Sequence, residues 1–382
     1  MIDWRAYLRH LDYVLIAATA GLIIYGVTMI YFATRHDIEA APFYFVRQQV
    51  IAVVVGTALA IVAAAVDYEV YRRYQWILYG TAVAILVVVL PLGENVNGAT
   101  RWIDLGVTRF QPSAAALLLL ALGIGAYLAD RMDLLGSRRV TLTALGLVAV
   151  PALLVYQEPD FGSAMAMVML TLAMLYFYGT RWTHFAVLVG SAAAAFVVAL
   201  KVLPLVGINL IHQYQIDRLF VFLNPGHDPG VSGYNVIQSM IAVGSGAMTG
   251  RGNMATQTTL DFLPEHHTDF IFAVISERNG FLGATVLLVL YAVFIWRALR
   301  IAVVSRDMYG SILAGGIGVM VLFQVFVNIG MTIGIMPVTG IPLPLVSYGG
   351  TAMIAFLLFV GLLQAIYLRA TITSGARGRN GQ

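Results

Sequence analysis

The sequence contains no cysteine, few charged residues and a single lysine. Without cysteine, the chain has no disulfide framework and no thiolate chemistry. Charged residues make up only 11% of its 382 residues, whereas an average soluble domain carries about 25%. Lys201 is the one lysine among 22 basic residues, and the net charge is only +3. This composition excludes an ordinary soluble domain, and we expect no nucleic-acid partner.

Apolar residues dominate instead. They form 60% of the chain, and the mean hydropathy is +0.85. The apolar runs are continuous over about 17–25 residues, which is typical of membrane-spanning helices and not of alternating barrel strands. We therefore predict an all-α polytopic integral membrane protein, with one transmembrane domain over 1–370 and a disordered cytoplasmic tail over 371–382. The ten predicted spans are Tyr13–Ala33, Val50–Val66, Trp76–Leu92, Ser113–Leu128, Thr141–Tyr156, Gly162–Tyr178, Phe185–Leu203, Phe270–Trp296, Gly310–Ile333 and Thr351–Tyr367.

The distribution of basic residues predicts the orientation. With the amino terminus inside, the inner segments hold 14 of the 22 basic residues and the outer segments hold 7, with Arg278 inside a span. Basic residues concentrate in cytoplasmic loops, so both termini are expected to be cytoplasmic. The large outer loop then covers 204–269. The connection 334–351 contains three prolines and four glycines, and we expect it to fold in beside that loop, since irregular backbone at membrane depth must be buried in protein.

A polar cluster ends the large outer loop. Glu265, His266, His267 and Asp269 lie within five positions, directly before an apolar helix. Ionisable groups in such a chain cost free energy and indicate a functional site. Their spacing fits no HExxH pattern on a helix face, so exposed loop histidines are favoured over a protein-bound metal. By position alone, Asp269 could also be an acid that stabilises the start of a helix.

Other polar blocks fall on the same predicted outer face, while the inner face holds arginines and ordinary linkers. This asymmetry places the functional site outside the cytoplasm, in a cavity that opens into the membrane-embedded region. The blocks are NGATRW (97–102), FQPS (110–113), EPDFG (158–162), PEHHTDF (264–270) and PLVSYGG (344–350).

These blocks resemble the SEDS family (shape, elongation, division and sporulation proteins) over nearly the whole chain. The most specific are NGATRWIDLG, LNPGHDPGVSGYNVIQSMIAVGSG, LDFLPEHHTDFIFAV and PLVSYGG. Two of them, LDFLPE and NGATRWIDLG, are more similar to elongation members than to division members. The resemblance implies a multi-pass peptidoglycan glycosyltransferase of the bacterial cytoplasmic (inner) membrane. Such enzymes polymerise lipid II on the outer face, usually with a class B penicillin-binding transpeptidase of the elongation machinery.

The resemblance also implies roles for individual residues. Asp269 matches the catalytic aspartate of the family, and it would act as a general base on the acceptor sugar hydroxyl. Arg101 matches a loop arginine, whose guanidinium could bind diphosphate oxygens in a fork; an ordinary surface arginine is the alternative. Asp160 could likewise be a helix cap instead of a cavity residue. The residues predicted to bind substrate are Arg101, Trp102, Asp160, Glu265, His267, Glu277, Ser347 and Tyr348.

One departure from the family pattern bears on activity. The family has glutamate after FQPS and lysine three residues later, whereas this chain has Ala114 and Leu117. Either another cation compensates, with Arg101 and Arg278 as candidates, or the chain is an attenuated scaffold for its transpeptidase. A lipid II flippase is a further alternative, because charged groups in a cavity also mark transport pathways. If a divalent cation is used, Mg²⁺ or Mn²⁺ could be carried by the substrate diphosphate.

Overall fold

In the computed structural model, the chain forms a bundle of long helices. The residues that the structure describes are 9–35, 41–96, 99–104, 109–198, 218, 220–222, 233–256 and 262–379. Of the large loop 204–269, the structure describes residues 218, 220–222, 233–256 and 262–269. Within the described part the helices are α1 Tyr13–Thr34, α2 Tyr44–Ala65, α3 Glu69–Arg73, α4 Gln75–Leu92, α5 Pro112–Ala129, α6 Arg138–Gln157, α7 Phe161–Tyr178, α8 Trp182–Val197, α9 Tyr234–Ser245, α10 Ile271–Val304, α11 Met308–Thr332 and α12 Gly350–Arg379.

Nine of these helices, counted over the described residues, are long and apolar enough to cross a membrane. The helix α8 is apolar but has only 16 residues, and its predicted continuation to Leu203 lies outside the described part of the chain. The prediction of an all-α polytopic membrane protein is confirmed. The physical reason is that a helix satisfies its backbone hydrogen bonds internally, which lipid requires.

The centre of the bundle is formed by α5, α11 and α12. In the apolar stretches of these three helices, 78%, 72% and 78% of the residues are buried, against 17% in the peripheral α4. Large apolar side chains such as Ile77 and Leu92 stay exposed on α4, as expected where a helix faces lipid and not protein. The site described below is built at one end of the central helices.

A kink divides α10 at Gly280. This residue has φ 63° and ψ −160°, a backbone conformation that side chains with a Cβ strongly disfavour. A Cβ here would also lie 2.3 Å from the backbone nitrogen of Gly250. Glycine is therefore required at position 280 for two reasons: the backbone conformation, and the close approach of the segment that follows α9.

Two features of the backbone differ from the sequence-based expectation. A small antiparallel sheet, β1 Glu94–Val96, β2 Ala99–Asp104 and β3 Arg109–Phe110, occupies the loop between α4 and α5. The pairing satisfies backbone groups that an irregular loop would leave to water. In addition, α12 continues to Arg379, into the segment 371–382 that was predicted to be disordered. Extending an existing helix needs no new nucleation, which explains how a polar tail continues it.

A buried ion pair fastens the start of α1 to the bundle. The Asp12 side chain accepts a hydrogen bond from the backbone nitrogen of Leu15 at 3.0 Å and from Nε of Arg297 on α10 at 2.7 Å. The backbone nitrogen of Asp12 donates to Oε1 of Gln364 on α12 at 2.9 Å. Since an unpaired carboxylate here would be costly, these contacts hold α1, α10 and α12 together.

The packing of α1 predicts a sharp difference between two glycines. A Cβ at Gly26 would lie 2.6 Å from the carbonyl oxygen of Val346, whereas a Cβ at Gly80 on α4 would meet no atom of the described residues within 4 Å. We expect Gly26→Ala to destabilise the protein by about 1–3 kcal/mol through overpacking, and Gly80→Ala to be neutral or slightly stabilising. Thermal unfolding of both variants in detergent measures this. Equal midpoints would contradict the close contact.

Candidate active site

A cavity of about 820 Å³ opens at one end of the helix bundle. Its walls come from the β2–β3 region, the first turns of α5 and α7, the segment before α10, the irregular connection after α11, and α12. These parts are far apart in sequence, but they include all five polar blocks predicted to share the outer face. The expected convergence of those blocks is therefore observed.

Most of the residues predicted for the site line this cavity. Those that do are Arg101, Trp102, Asp160, Glu265, His267, Asp269 and Tyr348.

The position of Asp269 is set by contacts from two other segments. Asn328 on α11 donates from Nδ2 to the backbone carbonyls of Asp269 and Ile341, each at 2.7 Å. Gly340, with φ +74°, lies so close that an added Cβ would be 3.3 Å from Oδ2 of Asp269. The carboxylate is half-buried at the cavity wall. The N-cap residue of α10 is Phe270, which makes no side-chain capping hydrogen bond, so Asp269 is not the N-cap of this helix.

The surroundings of Asp269 raise its pKa from the ordinary value of 3.8 to about 7. Burial is the largest cause, because it disfavours the charged form, and the negative charge of Glu265 adds to it. The positive charges of Arg218 and Arg101 act in the opposite direction, and Asp160 raises the pKa slightly further. An acid with a pKa close to neutral is well suited to accept and release a proton at physiological pH.

Arg101 is held by the turn between α6 and α7. Its Nε donates to the carbonyl oxygen of Glu158 at 3.0 Å, and a terminal nitrogen donates to the carbonyl of Pro159. Asp160 both caps α7, accepting from the backbone nitrogen of Ser163 at 3.1 Å, and lines the cavity. The two interpretations of Asp160 are therefore compatible.

The two histidines of the PEHHTDF block point in different directions. His266 is buried, and its ring nitrogens lie 2.9 Å from the carbonyl of Leu263 and 3.2 Å from that of Ala33. His267 lines the cavity, and its ring centroid lies 5.6 Å from that of Tyr348. The expectation that both histidines are exposed in a loop was wrong, because tertiary contacts cover them. Among the described residues, no group of three or more His, Asp or Glu side chains could hold a metal ion.

Three other expectations are corrected by the structure. Glu277 does not line the cavity; it is buried and accepts a hydrogen bond from the backbone nitrogen of Thr256 at 2.8 Å. Ser347 also lies behind the wall, where its hydroxyl donates to the carbonyl of Thr268 at 2.6 Å. Arg278 cannot replace the missing lysine, because its side chain lies outside the cavity. The Cζ atom of its guanidinium packs 3.5 Å from the ring centroid of Phe32.

Several lining residues were not predicted. Arg109 and Arg218 are the most informative, because each adds a positive charge to the cavity. Both lie in predicted outer loops, and Arg109 directly precedes the FQPS block, a signal that could have identified it. Ala114 and Leu117 also line the cavity, so the family's glutamate and lysine positions do face the site and are apolar here.

The fold and the site together define a polytopic membrane protein with a charged cavity at one end of its helix bundle. The FTSW_RODA_SPOVE family, described as cell cycle protein, matches residues 12–371. The chain belongs to this family. Peptidoglycan glycosyltransferase MrdB of Escherichia coli (strain K12) is 37% identical over 366 residues, which cover 96% of this chain and 95% of MrdB.

Solved structures show the same architecture. A chain from a peptidoglycan synthase complex superimposes with a TM-score of 0.78 at 28% identity, covering 94% of this chain and 98% of that one. The rod shape determining protein RodA of Thermus thermophilus superimposes with a TM-score of 0.68 at 26% identity, covering 94% and 96% of the two chains. The similarity therefore extends over the whole helix bundle.

Proposed function

We propose that this chain is a peptidoglycan glycosyltransferase that polymerises lipid II, with Asp269 as the general base. One observation carries the proposal: a carboxyl group with a pKa of about 7 lies in the same cavity as three arginines. The name of the E. coli relative, at 37% identity over almost its full length, supports the activity. The residue assignment rests on the geometry of the cavity.

The reaction needs one proton acceptor and one inverting displacement. Asp269 takes the proton from the 4-hydroxyl of the acceptor's N-acetylglucosamine, and the resulting oxygen attacks the anomeric carbon of the donor sugar. The bond between that carbon and the donor's diphosphate breaks as the new glycosidic bond forms. Because the donor is α-linked and the product β-linked, a single displacement accounts for the inversion. Asp269 then releases its proton to solvent.

The leaving undecaprenyl diphosphate carries negative charge that must be stabilised. Arg101, Arg109 and Arg218 line the cavity, and arginine binds diphosphate oxygens through several N–H groups at once. Arg218 is oriented by a hydrogen bond to the carbonyl of Val338 at 3.1 Å. These arginines supply the cation that the leucine at position 117 cannot, and a divalent ion bound to the diphosphate would add to them.

The proposal predicts the effect of removing the base. Asp269→Asn should reduce chain growth by at least about a hundredfold, because the amide cannot accept the proton.

The proposal also predicts a pH dependence. In the unmodified chain, kcat should fall as pH decreases through about 7, since Asp269 is then protonated and inactive as a base. Both are measured with labelled lipid II and purified protein.

A matched control is Asp133→Asn, which makes the same change at an exposed position away from the cavity. It should retain the rate and pH profile of the unmodified chain. Polymerisation by Asp269→Asn at the unmodified rate would refute the assignment, and translocation of lipid II without glycan products would favour a flippase.

The apolar residues at 114 and 117 allow a test between an enzyme and an attenuated scaffold. Both side chains face the cavity, so Ala114→Glu with Leu117→Lys would introduce an i, i+3 charge pair there. Because arginines already supply the positive charge, we expect no gain in the rate of chain growth. A rise of about tenfold, equal to roughly 1.4 kcal/mol in the barrier, would favour the scaffold.

We further propose that the site faces the outside of the bacterial cytoplasmic membrane, with both termini cytoplasmic, and that a class B transpeptidase of the elongation machinery is the partner. The similarity to a chain of a peptidoglycan synthase complex supports the partner. The chain has no cysteine, so single cysteines report topology without background. In intact cells an impermeant thiol reagent should label Thr256→Cys and not Ser305→Cys; the reverse pattern would contradict the orientation.

The partnership is tested separately. Failure of the transpeptidase to co-purify with the chain would contradict it.

A further inference from the structure

Glu158 occupies the turn between α6 and α7, directly behind the cavity wall. Its side chain is completely buried, and neither carboxyl oxygen has a hydrogen-bond partner among the described residues. It does not line the cavity itself. A buried carboxyl group without donors is costly, particularly when it is ionised, and the reaction described above makes no use of it.

The charged groups that act on Glu158 are Arg101 from β2 and Asp160 from the start of α7. Arg101 donates from Nε to the backbone carbonyl of Glu158 itself at 3.0 Å. Asp160 is already satisfied, since its oxygens accept from the backbone nitrogen of Ser163 at 3.1 Å and from the side chains of Gln111 and Ser113 at 3.4 Å each. Among the described residues, Arg101 is therefore the cation that acts on Glu158 in this turn.

The protonation state of Glu158 determines how much of the positive charge on Arg101 remains for a ligand. A neutral Glu158 adds no negative charge beside Arg101. An ionised Glu158 adds a second negative charge in a setting of low dielectric, where charges interact strongly. That charge would attract the guanidinium toward the turn and so make it less available to an anion in the cavity.

We propose that Glu158 is a positioning residue that acts through Arg101: as a neutral acid it leaves the guanidinium available to an anionic diphosphate in the cavity, and as a carboxylate it competes with that diphosphate. The inference rests on the proposed function in one respect, that a diphosphate is the ligand of the cavity. It adds a residue that controls the affinity for the diphosphate and does not touch the reacting atoms.

The electrostatics of the turn support this role at neutral pH. Burial, followed by the negative charge of Asp160, raises the pKa of Glu158 from 4.5 to about 8, against a smaller opposing effect of Arg101. Glu158 is then mostly protonated at pH 7 and mostly ionised at pH 9. If only the protonated form permits tight binding, the Kd for a diphosphate rises about tenfold between pH 7 and pH 9.

The test measures binding and not turnover. Farnesyl diphosphate is titrated into the purified full-length chain by calorimetry between about pH 7 and pH 9, in an Asp269→Asn background that removes the other carboxyl group titrating near this range. Glu158→Gln keeps the shape of the neutral acid and cannot ionise. The ratio of the Kd without this change to the Kd with it should rise about tenfold over that range. Ionisation of the ligand affects both proteins equally and cancels in the ratio.

Two further variants complete the design. Glu69→Gln makes the same change on a partly exposed ion pair with Arg306, away from the cavity, and should follow the pH dependence of the Asp269→Asn background. Arg101→Gln removes the group through which Glu158 acts, so its weaker binding should keep only the pH dependence that ionisation of the ligand causes. This second variant tests the proposal even if Glu158→Gln does not fold.

Three results would overturn the inference: the same pH dependence with and without Glu158→Gln, an unchanged pH dependence in Arg101→Gln, or no binding of farnesyl diphosphate at pH 7. A failure of the proposed function is distinguishable from these. In that case the unmodified chain makes no glycan from lipid II, while the binding of diphosphate still responds to Glu158.

Discussion

Two irregular segments, 262–269 and 334–349, enter the same end of the helix bundle, and their backbone polar groups must find partners there because lipid provides none. Some of these partners lie within the same segment, and others join the two segments to each other and to α11. The backbone nitrogen of Tyr348 donates to the carbonyl of His267 at 3.0 Å, and Asn328 bridges the two segments with two hydrogen bonds of 2.7 Å. The position of Asp269 depends on these hydrogen bonds between the two segments, since Asp269 lies on one segment and faces Gly340 of the other.

The same arrangement sets the chemistry of the cavity. Burial raises the pKa of Asp269, and the nearby arginines prevent the shift from becoming larger. A carboxyl group alone in an apolar pocket would hold its proton too strongly to act as a base, and one fully exposed to water would be too weak a base. Ala114 and Leu117 place no charge beside it, so the balance is set mainly by Glu265, Arg218 and Arg101.

Two motif residues that the sequence places on connecting segments do lie at the cavity. Asp269 and Arg101 lie in such segments, and both face the cavity. The assignments failed for Glu277, which follows Asp269 by only two helical turns but points toward the 246–256 segment. A helix places residues on different faces according to its rotation and its kinks, and α10 bends at Gly280. Proximity in sequence therefore did not translate into a shared site.

The sequence by itself determined the helical membrane architecture, because long apolar runs in lipid can satisfy their backbone groups only within helices. It also indicated the end of the bundle that carries the site, since the ionisable blocks are confined to one set of connections. Tertiary structure alone decided which side chains meet. Asn328 and Asp269 are 59 positions apart, and Arg101 reaches a turn 57 positions away. Such contacts arise from the packing of distant segments, which no local pattern of residues encodes.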